Sequence, residues 1–180
     1  MKALQEATLD KMVSARKPFG LSTSVKPAES GDITLRYRGG KGPFERSKIL
    51  VGNEIIGKWK IIISYLTAEH AGQPDKNGQF RVLSTMEEME PGEVCTETYL
   101  VAGAFDTKVE ADNYMAYLKT KFVRFLLQQI AITQHISRST FRYIPVQDFK
   151  EHWTDEKLYA KYKLTSEEVN FIEKMIKEMK

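Results

Sequence analysis

The segment 111–131 constrains the fold most, because its apolar side chains leave little of a helix free for solvent. The spacing predicts one long helix with apolar residues on more than one side. They are Tyr114, Tyr117, Leu118, Phe122, Phe125, Leu126 and Ile130, with Met115, Val123 and Leu127 between them. A helix of this kind is usually buried on most of its surface. We therefore expect it in the core, with Lys119, Lys121 and Arg124 on its open side.

This helix leads into a basic, hydroxyl-rich segment that ends at Gln147. There is no acidic residue between Asp112 and Asp148. Five basic residues lie there instead: Lys119, Lys121, Arg124, Arg138 and Arg142. Ser, Thr, Gln and Arg side chains can donate hydrogen bonds to phosphate oxygens and to base edges. The pattern favours a turn that binds a polyanion. The alternative is a polar connection between two packed elements.

Segments typical of strands occupy the middle of the chain. The segment 33–37 alternates in polarity and reaches a tight turn at Gly39-Gly40, and 59–66 is apolar enough for the centre of a sheet. The segments 80–83 and 95–103 are also predicted strands, whereas the acidic segment 87–93 is predicted to be a surface loop. An amphipathic helix is predicted over 3–15, and a short helical turn over 45–50.

The carboxy-terminal part of the chain carries helix caps. Asp106-Thr107 is the predicted cap of the long helix, and Thr154 and Thr165 are predicted caps of two short helices. The predicted fold class is α+β, with a mixed or antiparallel central sheet, one long buried helix and two short C-terminal helices. We divide the chain into an α+β domain over 1–150, which includes the N-terminal helix, and a helical cap over 151–180 that packs on it.

Residues that could support catalysis or bind a metal are few. The three histidines are isolated in sequence, so no pair has the spacing of metal ligands. The single cysteine, Cys95, excludes an internal disulfide and a cysteine-based zinc cluster, and its strand-like surroundings predict a buried, inert thiol. We expect no catalytic residue, no metal site and no cofactor in this chain.

The charge of the chain is mildly basic, at +3 with a pI near 8.8, and it is unevenly distributed. The segment 82–107 holds six acids and no Lys or Arg, whereas 33–48 holds five basic residues against Glu45. This predicts either separate basic and acidic faces or scattered solvated charges. No segment approaches the ~20 apolar residues of a membrane span, and the first 19 residues do not match a signal peptide. We expect a cytoplasmic protein.

The turn at Gly39-Gly40 is a second candidate for anion binding. Its backbone amides could lie beside a phosphate, with Arg38 and Lys41 supplying positive charge. An ordinary hairpin is the alternative interpretation. The turn lacks the strand–loop–helix context of a nucleotide P-loop.

An ordered set of motifs runs along most of the chain. It begins with RKPFGL at 16–21 and the Gly39-Gly40 turn, and it continues with CTETYLV at 95–101, KTKFVRF at 119–125, TQHISR at 133–138, YIPVQDF at 143–149, WTDEKLY at 153–159 and LTSEEV at 164–169. Over roughly residues 14–175, this set resembles the carboxy-terminal, target-recognition region of bacterial adenine-specific DNA methyltransferases from type II restriction-modification systems.

The resemblance implies that methylation and DNA recognition belong to separate parts of the enzyme. In such enzymes the amino-terminal portion binds S-adenosylmethionine and methylates adenine N6, while the carboxy-terminal portion binds DNA and recognises the site. This sequence has no Asn/Asp-Pro-Pro-Tyr/Phe motif and no Gly-rich loop for the methyl donor. We therefore expect a fragment or subunit that binds double-stranded DNA and needs a methyltransferase catalytic domain or subunit, which would hold the S-adenosylmethionine.

The expected DNA contacts are chosen by their chemistry at the matched motifs. Residues around the glycine turn should hold phosphate or enter a groove, and residues after the long helix should contact bases or backbone near the target. The predicted set is Lys17, Arg38, Gly39, Gly40, Lys41, Arg46, Gln134, His135, Ser137 and Arg138. The alternative function is a protein-interaction or scaffold subunit of a restriction-modification complex, in which the basic residues meet an acidic partner.

Overall fold

Two three-stranded sheets and one layer of helices form the protein. A computed structural model describes residues 6–66, 73–83, 85–130 and 136–179. The predicted α+β class is confirmed, with two short helices near the carboxyl end. None of the helices in these ranges is long and apolar enough to cross a membrane.

The smaller sheet contains the predicted hairpin. Strand β1 (Ile33–Tyr37) pairs with β2 (Gly40–Phe44) in antiparallel fashion and with β5 (Glu93–Cys95) in parallel, in the order β2-β1-β5. Tyr37 lies opposite Gly40, so Arg38 and Gly39 form the loop of the hairpin. Gly40 has φ +130°, a conformation that L side chains rarely adopt and that glycine tolerates.

The larger sheet forms the middle layer. Strand β3 (Trp59–Ser64) lies between β4 (Met86–Met89) and β6 (Tyr99–Phe105), and both pairings are antiparallel, so the predicted central strand is confirmed. Side chains alternate across a strand. Ile61 and Ile63 therefore pack in the core beside the helices, whereas Ile62 packs with residues of the smaller sheet.

Two strand predictions and one loop prediction are wrong in detail. The segment 95–103 is not one strand, because residues 96–98 turn the chain from the smaller sheet to the larger one. The segment 87–93 is not a loop throughout, since β4 occupies its first half. The segment 80–83 is not a strand: Phe80 makes only an isolated bridge with Ile176, and Val82 has φ +69°. Each difference comes from a pairing partner that is distant in the sequence.

The predicted long helix is two helices. Helix α1 (Lys108–Lys119) begins after the predicted cap Thr107, whose hydroxyl accepts a hydrogen bond from the Glu110 backbone N–H, and α2 (Lys121–Ile130) follows at once. Thr120 separates them with ψ 149°, and its hydroxyl donates to the Tyr117 carbonyl at 2.7 Å. The break is not visible in the apolar pattern because both helices bury the same kind of side chain.

Arg124 is a further correction. It was expected on the open side of the helix, yet only 1% of its surface is exposed. Its Nε donates to the Lys119 carbonyl at 2.9 Å, and its Nη1 donates to the Lys177 carbonyl at 2.6 Å. The guanidinium can be buried because main-chain carbonyls at the end of α1 and in the carboxy-terminal segment accept its hydrogen bonds.

The two ends of the chain pack on this core. The predicted N-terminal helix is reduced to a 3-10 turn at Leu9–Lys11, and its first residues lie outside the described ranges. Helices α3 (Asp155–Lys161) and α4 (Ser166–Met175) begin at the predicted caps, Thr154 and Thr165. Buried residues of 155–176 join the same apolar cluster as the residues of α1 and α2.

Candidate nucleic-acid interface

Two adjoining clefts lie beside the larger sheet. The first, named here the hairpin cleft, has a volume of about 710 Å³. The second, the Arg138 cleft, has a volume of about 500 Å³. Arg16 and Tyr65 line both clefts. The hairpin cleft is also lined by Lys26, Arg38, Tyr99, Glu87 and Glu97, and the Arg138 cleft by Asp10, Ser137, Arg138, Ser139 and Arg142.

Arg16 and Tyr65 form the wall between the clefts. The Arg16 Cζ lies 4.0 Å from the centroid of the Tyr65 ring, a distance typical of a cation–π contact. An Nη of Arg16 also lies 3.7 Å from the Glu97 carboxylate, and the Lys17 Nζ lies at the same distance from that group. The guanidinium of Arg16 thus contacts a ring and a carboxylate that also line the hairpin cleft.

Arg38 belongs to the hairpin cleft, as one of the predicted DNA contacts. It is exposed in the two-residue loop that joins β1 and β2. The following Gly39 lies close to the Tyr37 ring, where a Cβ atom would come within 2.5 Å of a ring carbon. Lys26 lies on the same ring, with its Nζ 5.2 Å from the centroid. Arg38, in the glycine turn, and Lys26, on the Tyr37 ring, thus both line the hairpin cleft.

Two other predicted residues, Lys41 and Arg46, do not join these clefts. The Lys41 Nζ lies 2.7 Å from the buried carboxylate of Glu93, so its charge is paired within the smaller sheet. Arg46 follows Phe44, which pairs with Ile33 at the opposite end of the hairpin from Arg38. The basic residues around the glycine turn are thus spread over the hairpin and do not make one patch.

Ser137 and Arg138 lie in the Arg138 cleft. The Arg138 Nε donates to the Val13 carbonyl at 2.8 Å, and the residue as a whole is exposed. The Ser137 and Ser139 hydroxyls are 2.8 Å apart, and the Ile136 N–H donates to the Tyr65 carbonyl at 3.2 Å. The other two predicted residues of this segment, Gln134 and His135, lie outside the described residues.

Five of the six acidic residues of 82–107 pair with cations on other elements. Arg36 contacts the Glu87 carboxylate, and its Nε lies 3.5 Å from that of Glu93. Lys108 pairs with Glu88 at 2.9 Å. These contacts join the two sheets and the helix layer. The acids that come nearest the clefts are therefore already engaged with cations or backbone N–H groups.

Five residues that line the clefts are not among the predicted DNA contacts. Three of them are the basic residues Arg16, Lys26 and Arg142. Arg142 lies in the basic segment that follows the long helix, but nothing in the spacing of the three distinguishes them from other surface cations. Tyr65 and Tyr99 were assigned to strands. Only the folded chain places all five around the same clefts.

Cys95 is fully buried, as predicted, and this burial raises the pKa of its thiol to about 12. Within the part of the chain that the structure describes, no group of three or more His, Cys, Asp or Glu could hold a metal ion.

Comparison with known proteins gives no match to any family model, curated protein or solved structure. The resemblance to adenine-specific DNA methyltransferases therefore depends on the sequence motifs, and the geometry of the clefts is the independent observation beside it.

Proposed function

We propose that this chain is the DNA-binding target-recognition region of an adenine-N6 DNA methyltransferase from a restriction-modification system. The observation that carries the proposal is the set of cations around the two clefts, namely Arg16, Lys26, Arg38, Arg138 and Arg142. A catalytic domain or subunit would bind S-adenosylmethionine and transfer the methyl group.

The balance of charge supports a polyanionic ligand. The five cations face three carboxylates, from Asp10, Glu87 and Glu97. Each carboxylate already has a protein partner: Asp10 accepts from the Thr8 hydroxyl, Glu87 contacts Arg36, and Glu97 accepts from the Thr23 N–H and also lies 3.7 Å from Arg16. The cations other than Arg16 have no ion pair with a described residue. They are therefore available to phosphate groups, whose contacts supply much of the affinity in protein–DNA complexes.

The hairpin suggests how sequence would be read. The major groove of B-DNA admits a two-stranded β-ribbon, and an arginine there can donate two hydrogen bonds to guanine. The β1–β2 hairpin places Arg38 in its exposed loop. Arg38 is therefore the side chain that we assign to base recognition.

Selection from a random duplex library, with sequencing of the bound fraction, tests the proposal. We expect enrichment of a defined site and an affinity that falls steeply with salt, because phosphate contacts release counterions. Arg38→Ala should reduce discrimination between the selected site and random DNA by about 1–3 kcal/mol.

Arg46→Ala is the matched control for Arg38→Ala, because it removes an exposed arginine from the opposite end of the same hairpin. It should leave discrimination unchanged. The absence of duplex binding at low salt, or equal effects of the two substitutions, would contradict the proposal.

A protein-interaction or scaffold subunit is the second candidate. A shallow apolar groove of about 380 Å³ lies between α2 and α4, lined by Phe125, Leu164, Phe171 and Ile172. Phe171 is 53% exposed. If the chain acts as a scaffold, Phe171→Asp should abolish association with a methyltransferase subunit, and substitutions in the clefts should not change DNA binding by the complex.

A further inference from the structure

We propose that the Arg138 cleft binds one phosphate of the DNA backbone, held by Arg16, Arg138 and Arg142. The inference rests on the proposed function and makes it more specific. It assigns backbone contact to this cleft and leaves base contact to Arg38 in the hairpin cleft.

Arg138 is fixed for such a contact by its own hydrogen bond. Its Nε donates to the Val13 carbonyl at 2.8 Å, which sets the position of the guanidinium plane. The side chain is exposed, and a guanidinium carries four N–H donors besides the one at Nε. Two of these can bind two phosphate oxygens side by side.

Arg16 and Arg142 are oriented by aromatic rings. The Arg16 Cζ lies 4.0 Å from the centroid of the Tyr65 ring, and the Arg142 Cζ lies 4.8 Å from that of Tyr143. Stacking uses the face of each guanidinium and leaves N–H donors at its edge. Because the rings restrict the side chains before a ligand arrives, less conformational entropy is lost on binding.

The charges in the cleft favour phosphate over a base edge. Three guanidinium groups and one carboxylate, from Asp10, line about 500 Å³. Asp10 accepts a hydrogen bond from the Thr8 hydroxyl at 2.6 Å. A bound anion offsets the repulsion among these like charges, and a neutral base edge does not. A phosphodiester carries one negative charge, shared by two non-bridging oxygens that together accept several hydrogen bonds.

Two hydroxyls complete the site. Ser137 and Ser139 also line the cleft, and their oxygens are 2.8 Å apart. Hydroxyl groups of this kind are frequent donors to backbone phosphate, beside arginine. A phosphate in this cleft would therefore have charge, directed donors and short polar side chains around it.

Methylphosphonate substitution tests the assignment, because it removes the negative charge from one chosen phosphate of the selected duplex. We expect one position at which the neutral linkage weakens binding by the wild-type protein about tenfold. At that position the neutral linkage should weaken binding by Arg142→Ala little further, because the variant already lacks a contact to this phosphate. Arg142→Ala should also lower the slope of log affinity against log salt concentration by about one. It should weaken binding to selected and random duplexes equally.

Arg142→Ala is preferred to Arg138→Ala, which also removes the hydrogen bond to Val13. Thermal unfolding and circular dichroism should show that the variant is folded. Arg46→Ala is the control, since Arg46 is exposed but lies outside both clefts. It should leave the methylphosphonate profile unchanged.

Three outcomes would overturn the inference. If Arg142→Ala keeps the wild-type salt slope, or weakens only the selected duplex, the cleft does not bind backbone phosphate. If inorganic phosphate saturates the cleft at millimolar concentration without displacing bound duplex, the ligand is a free anion. If the wild-type protein binds no duplex at all, the proposed function itself fails, and the two failures are thereby distinguished.

Discussion

Arg124 donates a hydrogen bond to the main-chain carbonyl of Lys177 at 2.6 Å, which connects the centre of the helix layer to the carboxy-terminal tail. The same guanidinium donates to the Lys119 carbonyl at the end of α1. It therefore joins three segments that are separate in the sequence. Burial lowers the pKa of Arg124 to about 10, so the side chain stays charged at neutral pH.

Arg124→Met should lower the free energy of unfolding by about 2–4 kcal/mol, because buried carbonyls lose their donor. Urea unfolding measures the change. Lys119→Ala is the matched control, since its main-chain carbonyl still accepts from Arg124, and it should cost less than about 0.5 kcal/mol. Similar losses for both variants would contradict the connecting role of Arg124.

Lys60 is a second buried cation, and its effect should depend on pH. Its Nζ lies within 2.5–3.2 Å of the carbonyl oxygens of Ile55, Ile56, Lys58 and Glu90. Burial lowers its pKa from 10.5 to about 8. Between these values the unfolded chain binds more protons than the folded protein, so the contribution of Lys60 to stability should rise with pH.

The measurement compares the unfolding free energies of the wild type and Lys60→Met at pH 7.5 and 9.5. The unfolding free energy of the wild type should exceed that of Lys60→Met by a larger margin at the higher pH. This margin should grow by at most about 3 kcal/mol between the folded and unfolded pKa values of Lys60. The carbonyls oppose loss of the proton and reduce the gain. A constant or falling difference would show that Lys60 keeps its proton in the folded state throughout this range.

Asp155 caps a helix that begins 34 residues before it. Its carboxylate accepts from the Lys121 N–H at 3.0 Å and from the Phe122 N–H at 2.8 Å. Asp155→Ala should therefore cost about 1–2 kcal/mol of stability in chemical unfolding. Glu156→Ala removes the exposed neighbouring acid and should have little effect. Equal costs would mean that the first turn of α2 does not depend on Asp155.

Tyr65 should influence DNA binding through Arg16. Tyr65→Ala removes the ring on which the guanidinium lies, and a cation–π contact at a half-exposed site is worth about 0.5–1 kcal/mol. We expect a loss of affinity of about two- to fivefold by fluorescence anisotropy. Tyr65→Phe keeps the ring and should bind nearly as the wild type does. A full loss in Tyr65→Phe would instead assign the role to the hydroxyl.

Glu97 should weaken DNA binding in the wild-type protein. Its carboxylate lies 3.7 Å from both Arg16 and Lys17 and would compete with DNA phosphate for these two cations. Glu97→Gln removes that negative charge. Affinity for duplex DNA should rise at low salt, by about two- to tenfold, and the gain should shrink at high salt. Glu167→Gln on α4 changes the net charge equally and is the control. An equal gain in the control would attribute the effect to overall charge.

Much of the fold was predictable because it depends on local rules. The caps at Thr107, Thr154 and Thr165 begin helices as expected, and the apolar run of β3 lies at the centre of its sheet. The features that were missed depend on distant partners. Thr120 interrupts the long helix where Asp155 supplies a cap, and β4 forms as a strand paired with β3.

The candidate site was predictable only in part. Arg38, Ser137 and Arg138 line the clefts, whereas Lys41 and Arg46 belong to other parts of the hairpin. Chemistry identifies which side chains can bind an anion. It does not say which of the exposed cations will meet in space, because that depends on how the sheets and the 136–142 segment pack together.

Because a single arginine, Arg16, contributes to both clefts, the two proposed contacts, to a backbone phosphate and to a base, would compete for one set of donors. Filling one cleft would then make filling the other less favourable, and linkage makes this effect reciprocal. A wrong base pair would leave Arg16 to the backbone phosphate and so offset part of its own penalty. Discrimination between DNA sites would then be smaller than the sum of the separate contacts.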